Sequence, residues 1–299
     1  MDGYINLLKP IGPSSFQAVQ EIRRILGEKK VGHTGTLDPG AAGVLPLCIG
    51  KATKAIPYLN DDFKSYRAEI TFGITTDTQD IYGTILRERK VRLDEKEIEQ
   101  LLHSFRGKII QVPPMFSALK VKGRKLYELA REGMEVDRKP REICIESIEL
   151  VEMVAPDKAL FDVRCSKGTY IRALCHDIGE KAGCGAVMSY LVRTSSGGFH
   201  MDSAVTIEEV VKAKHSGCIN SVLLPVDHAL FHLDKAQLAE DSKKYALNGN
   251  PLKQHNMITS MERYSEGQRV RIYCSGLFIG IGMIVDRTDG RHIKMVKVF

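Results

Sequence analysis

Residues 32–43 read Gly32-His33-Thr34-Gly35-Thr36-Leu37-Asp38-Pro39-Gly40-Ala41-Ala42-Gly43, with four glycines, one histidine and a single carboxylate. Such a stretch cannot run as one continuous helix. Glycine takes positive φ readily and admits close approach of a backbone or a ligand, while Pro39 drives Asp38 to an extended backbone and stops any helix there. The segment predicts a loop that holds one acid at a fixed orientation and leaves room beside it. On composition alone, an ordinary Asp-Pro-Gly turn is the favoured reading, so the surrounding pattern has to decide.

That pattern alternates helices and strands without a regular βαβ repeat. Ser14-x-x-Gln17 predicts a capped helix with Phe16, Val19, Ile22 and Leu26 inward and Gly27 as its stop. Residues 64–73 predict a strand, because Tyr66, Ala68, Ile70 and Phe72 alternate with polar neighbours. Asp94-x-x-Glu97 predicts a second helix carrying Ile98, Leu101, Leu102 and Phe105, closed by Gly107. After Val112-Pro113-Pro114 comes a basic, exposed excursion at about 120–141, with a short helix from Lys125 to Arg131. A strand at Leu160–Cys165 enters the turn Ser166-Lys167-Gly168-Thr169, and Ile171, Leu174, Cys175 and Ile178 then take amphipathic helix spacing. Leu224 to Leu233 reads as a junction. Beyond it, Val270–Cys274, Leu277–Asp286 and Ile293–Phe299 predict short strands. The expected fold class is α+β, with a large domain over 1–232 and a small β-rich domain over 233–299.

The formal net charge is +6, and it is unevenly placed. Residues 120–141 carry eight Lys/Arg against four Asp/Glu, and residues 233–299 eleven against seven, each a surplus of +4. Two basic segments on a near-neutral body suggest a polyanion gripped in two places. Seven cysteines without a Cys-x-x-Cys pair argue against a disulfide framework or a zinc site and favour the cytoplasm. The start of the chain has no signal-peptide pattern, and membrane association is not expected. Walker and Gly-x-Gly-x-x-Gly fingerprints are lacking, which disfavours a nucleotide cofactor. His228 and His232 have i, i+4 spacing but no third ligand nearby, and metal is not expected.

Asp38 is the leading candidate for chemistry, since an ionised carboxylate can act as a nucleophile at a sugar carbon. Arg172, in the first turn after Lys167-Gly168-Thr169-Tyr170, is the candidate cation to accompany it. Tyr66 can stack on a base or simply pack in the core, and Tyr170 is equally open. His33 can meet phosphate or sugar. Thr76-Asp77-Thr78-Gln79-Asp80 can cap, turn or hold a basic partner.

Taken in order, Lys9-Pro10-x-Gly12, residues 32–39, Gly50-Lys51-Ala52-Thr53-Lys54, Lys64-x-Tyr66, Thr76-Asp77-Thr78-x-x-Asp80, Pro113-Pro114-x-x-Ser117-Ala118-x-Lys120, residues 167–172 and Leu191-x-Arg193 resemble the bacterial tRNA pseudouridine synthase B family. The match runs almost end to end. It implies a catalytic domain of pseudouridine-synthase type, built on a mixed, largely antiparallel sheet and followed by a PUA-like RNA-binding domain, a tRNA T-arm partner, and a monomer that needs no cofactor. It also implies Asp38 as the catalytic aspartate, Tyr66 against the flipped uracil and Arg172 as partner of the acid. Tyr170, Leu191, Asp80 and Lys9 would then belong to the substrate site, with His33 on the displaced RNA loop. Two departures from the family pattern, Phe16 after Ser14-Ser15 and Val192 before Arg193, bear on RNA contacts and leave the proposed chemistry untouched.

The implied reaction breaks a C1′–N1 bond and makes a C1′–C5 bond to the same uracil. Attack at C1′, addition at C6 and glycal formation all remain open routes for Asp38. An RNA-guided synthase and a non-catalytic RNA-binding or RNA-folding protein are the competing readings. An aspartate-nucleophile hydrolase is a third, although Asp38 lacks a cluster of acidic neighbours in sequence.

Overall fold

The computed structural model describes residues 1–60, 62–121 and 123–299. The apolar alternation of the first seventy residues is spent on one sheet. Its strands are β1 (Gly3–Lys9), β2 (Val31–His33), β3 (Ala42–Ile49), β4 (Phe63–Phe72), β5 (Gly107–Gln111), β6 (Arg141–Ala155), β7 (Lys158–Ser166), β8 (Ala186–Ser196) and β9 (Phe199–His200). Across the sheet the order is β1-β3-β8-β4-β7-β6-β5, with β2 on β3 and β9 on β8. The pairs are antiparallel apart from β3 with β8, a parallel seam of two residue pairs, Val192↔Ala42 and Arg193↔Gly43. The fold is thus mixed α and β around a mixed, largely antiparallel sheet, as the sequence predicts.

β3 is buried on both faces, which explains its unbroken apolar run. Leu45, Leu47 and Ile49 enter the main core, while Val44 and Cys48 join Tyr4, Phe199 and Ala229 on the other side. The main core lies between the sheet and α1 (Ser15–Leu26), α2 (Glu95–His103) and α4 (Ile171–Lys181), with α3 (Leu126–Arg131) in the excursion. α4 commits Ile171, Leu174, Cys175 and Ile178 to that core. At about 1.5–3 kcal/mol for each large aliphatic side chain buried, this face fixes where the first turn of α4 points.

Two helix expectations change. α1 has the predicted capping box at Ser14 and Gln17 and ends at Gly27, but Phe16 is 67% exposed. The buried stripe is Ser15, Ala18, Val19, Ile22 and Leu26, so the inward place in the first turn belongs to a serine and Phe16 falls about a quarter-turn away. α2 ends at His103, and Gly107 instead opens β5 at φ 92°. Phe105 reaches the core from the connecting turn.

The basic excursion folds back on itself. A short hairpin, Lys120–Val121 with Arg124–Lys125, precedes α3, whose Leu126 and Leu129 are buried. One of its eight basic residues, Lys122, lies outside the described residues. Residues 234–298 form a separate five-stranded sheet with a core that includes Leu252, Val270, Ile272, Ile284 and Ile293. It is tied to the first body where Arg271 Nε donates to Leu233 O at 2.8 Å and the Tyr273 hydroxyl donates to Asp227. His228 packs its ring on Phe199 at the same junction.

Lys9, expected in the substrate site, is instead fully buried. Its ammonium donates to the carbonyls of Pro10 and Pro13, both at 2.8 Å, and so clamps the turn before α1. Burial lowers its pKa to about 8; nearby Asp38 pulls it back up and Arg193 pushes it down. In the unfolded chain the group titrates near 10.5. Below about pH 8 both states carry the proton and the burial cost is fully present. Between there and 10.5 the unfolded chain binds more protons, so this site makes stability rise with pH. Lys9→Met should remove that rise, read as the difference in urea midpoints between variant and wild type across the window; parallel curves would contradict it.

Gly43 sits at φ 108°, and a Cβ there would collide with the backbone of Arg193 across the parallel seam. Gly43→Ala should cost at least ~2 kcal/mol and lower the melting temperature. A melting curve superimposable on the wild type would show that the seam yields freely.

Candidate active site

Arg172 is the second residue of α4, where the helix dipole makes a cation unwelcome. It is only 6% exposed, and its environment answers that cost with acceptors. Nη2 meets Asp38 Oδ2 at 2.9 Å and Phe116 O at 2.8 Å. Nη1 donates to Thr78 O at 3.1 Å and lies 3.8 Å from Asp80 Oδ2. One guanidinium therefore joins three loops and α4. Asp80 is the more enclosed acid, 14% exposed, and its Oδ1 accepts from Thr78 Oγ1 at 2.6 Å and from the Tyr82 amide at 3.0 Å. Asp38 is 46% exposed and keeps one edge of its carboxylate toward open space.

The loop carrying Asp38 is fixed at both ends. Ser15 Oγ accepts from Leu37 N at 2.8 Å and donates to Leu37 O at 2.9 Å, gripping the residue before the acid. Arg193 lies fully buried beneath the loop and donates to Val44 O at 2.7 Å and Gly35 O at 3.0 Å, with a longer contact to Thr36 O. Pro39 O accepts from Gly12 N at 2.9 Å. The loop glycines serve the protein's own packing: at Gly40 a Cβ would strike the Tyr82 ring, and at Gly43 the Arg193 backbone.

Two cavities meet at Asp38 and Arg172. One, of about 330 Å³, is walled by Tyr66, Leu191, Arg193, Lys64, Tyr170 and the Ser117–Leu119 segment. Register explains the grouping, since Tyr66 on β4 faces Arg193 and Ala68 faces Leu191 on β8. The other, of about 570 Å³, is more apolar and is bounded by Ile11, Tyr82, Phe116, Tyr127, Met188 and Arg131. Both volumes fall in the range of small-molecule sites. Tyr170 is held through its backbone by Gln111, whose Oε1 accepts from Tyr170 N at 2.9 Å and whose Nε2 donates to Tyr170 O at 3.1 Å.

Asp38, Tyr66, Arg172, Tyr170, Leu191 and Asp80 thus lie together around the two cavities. Among the described residues that wall the two cavities, Lys9 and His33 do not figure. His33 lies on β2, where burial first and then Arg193 and Lys64 hold its imidazole below the usual value, against an upward pull from the Gly35 backbone. Sequence reasoning passed over Ser15, Gln111 and the load on Arg193. The signal for Arg193 was present: two residues after Leu191 on a strand, it shares that residue's face. Ser15 and Gln111 act across 22 and 59 residues of chain, and no local pattern marks them.

Residues 23–171 match the TruB family pseudouridylate synthase (N terminal domain), and residues 172–231 match the tRNA pseudouridylate synthase B C-terminal domain. The chain is 48% identical over 298 residues to the tRNA pseudouridine synthase B of Alkaliphilus oremlandii (strain OhILAs), covering 100% of this chain and 97% of that protein. It is 44% identical over 300 residues to the tRNA pseudouridine synthase B of Clostridium kluyveri, covering 100% of both. Among solved structures it resembles a chain of a Cbf5-Nop10-Gar1 complex at TM-score 0.74 and 29% identity, over 99% of this chain and 84% of that one. A chain of an H/ACA RNP bound to a substrate RNA containing 2′-deoxyuridine is similar at TM-score 0.75 and 28% identity, over 99% and 84%. The family matches and the full-length relatives agree with the site geometry: this chain belongs to the TruB family of pseudouridylate synthases.

Proposed function

We propose that this protein isomerises uridine to pseudouridine at position 55 in the T-loop of tRNA, with Asp38 as the catalytic carboxylate. The observation that carries this reading is the Asp38–Arg172 pair, half open to solvent and set between two base-sized cavities. A uridine inside a folded RNA must leave its stack to reach such a group, at a cost of a few kcal/mol. Tyr66 and Leu191 offer the flat apolar walls that hold an unstacked uracil after the C1′–N1 bond breaks. Confined there, the base turns within reach of C1′ until C5 takes the place of N1; C5 then gives up its proton and N1 gains one, so the product is an isomer of the substrate. Arg172 supplies the positive charge that keeps Asp38 oriented while water is displaced, and Asp80 fixes the far side of the guanidinium. Tyr170 closes the wall at the helix start.

The relatives that carry the name tRNA pseudouridine synthase B are 40–48% identical over 84–100% of the chain, whereas the chains from Cbf5 and H/ACA complexes are represented at 27–29%. A tRNA substrate is therefore favoured over a guide-dependent one. We read the protein as acting as a monomer. Among the described residues no helix is long and apolar enough to cross a membrane, and we place the enzyme in the cytoplasm with its tRNA. The excursion and the second sheet, read as a PUA-like module over 233–299, are the elements that grip the RNA backbone outside the site.

Asp38→Asn should abolish pseudouridine formation in a single-turnover assay on tRNA while leaving binding within a few-fold of wild type; appreciable product would remove Asp38 from the essential role. Arg131 lies exposed at the rim of the larger cavity. Arg131→Ala should weaken tRNA binding and reduce the slope of log affinity against log salt by about 1, with little change in the rate on saturated RNA. An unaltered slope would show that Arg131 meets no phosphate.

A further inference from the structure

We propose that Gln111 is the positioning residue for Arg172, acting on the reaction through Arg172 and Asp38 without touching the RNA; this rests on the reading of Asp38 given above. Gln111 is fully buried at the end of β5. A buried carboxamide needs partners for both its ends, and Gln111 spends both on one residue. Its oxygen takes the Tyr170 N–H at 2.9 Å and its nitrogen gives a proton to the Tyr170 carbonyl at 3.1 Å. Those are the two bonds that an antiparallel neighbour would make. Tyr170 stands immediately before α4 and has a ring where a capping oxygen would normally sit. Its carbonyl also receives the Leu174 amide at 3.0 Å, the first bond of the helix. Gln111 therefore sets where the first turn begins, two residues before Arg172.

The same stretch of chain grips Arg172 a second time. From Gln111 the main chain runs through Pro113 and Pro114 to Phe116, whose carbonyl accepts Arg172 Nη2 at 2.8 Å. The side chain of Gln111 thus holds the helix backbone, and the backbone five residues later holds the guanidinium. Arg141, paired with Gln111 across β6, places its own guanidinium 5.8 Å from the centre of the Tyr170 ring. The root of the basic excursion and the start of α4 are locked together at this point, with Arg172 between them. Displacing α4 by a fraction of an ångström would move the charge beside Asp38.

Gln111→Met keeps the length and the apolar stem but removes both bonds. It should slow single-turnover conversion of tRNA by on the order of tenfold to a hundredfold, with affinity for tRNA nearly unchanged. The loss should vanish when Arg172→Lys is already present, because the two residues act in series. Nitrogen-15 spectra of labelled arginine provide a readout independent of activity. The Arg172 Nη signals, identified by their absence in Arg172→Lys, should be resolved in wild type and broadened or merged in Gln111→Met. Gln111→Glu guards against a variant that does not fold. A buried carboxylic acid titrates above its usual range and can donate to Tyr170 O when protonated, so Gln111→Glu should approach wild-type rates near pH ~6 and lose them toward pH ~8. Equal losses in both backgrounds, or unaltered rate and Arg172 signals in Gln111→Met, would overturn the proposal. Should wild-type protein leave tRNA uridine unchanged, the assigned reaction fails, and the Arg172 spectra alone decide whether Gln111 positions it.

Discussion

A guanidinium at the amino end of a helix is a local electrostatic error, and this structure is arranged around correcting it. Arg172 draws on Asp38, Asp80, Thr78 O and Phe116 O, acceptors that belong to three loops distant in sequence. Each loop gains a reason to stay where it is, since a buried cation that loses acceptors is costly. The site is thus assembled by one side chain's need for partners. The sheet supplies the frame: β4 and β8 bring Tyr66, Leu191 and Arg193 onto one face, and the apolar face of α4 sets the depth at which Arg172 emerges.

Asp38 and Asp80 illustrate how similar acids acquire different duties from their surroundings. Asp80 is enclosed, takes a hydroxyl and an amide, and behaves as a fixed strut. Asp38 is half exposed, meets Arg172 through Oδ2 and lines both cavities, where a ligand can reach it. Two cavities of different character flank it, one of mixed polarity with Lys64 and Arg193 beside Tyr66 and Leu191, the other mostly apolar. A carboxylate on such a ridge can attend to a nucleotide from either side.

Much of this was legible in the sequence because it is local. The capping box at Ser14, the alternation from Tyr66 to Phe72 and the amphipathic spacing after Tyr170 each follow from a repeat shorter than two helical turns. Asp38, Arg172, Tyr66 and Leu191 were found through the motifs that hold them. The failures share a cause as well. Phe16 looked like core because the helix period fits either Phe16 or Ser15, and only the distant Leu37 explains why the serine faces inward. Lys9 reads as a substrate contact through the motif it shares with Pro10 and Gly12; its clamp on two carbonyls appears only when the chain is folded. The glycines of the loop suggested room for a visitor, whereas Gly40 and Gly43 make room for Tyr82 and for the Arg193 backbone. Long-range pairing leaves no mark on a window of neighbouring residues.

The anchoring of residues 37–43 has a consequence for how this chain can change length. Ser15 pins Leu37, Gly12 pins Pro39 and the parallel seam pins Gly43 against Arg193. Between those points there is no slack in which an added residue could be absorbed, and a removed one would pull an anchor out of place. Many surface loops admit insertions at little cost. Here the number of residues is itself a structural quantity, and the spacing from serine clamp to seam acts as a ruler that sets how far the acid stands above the sheet.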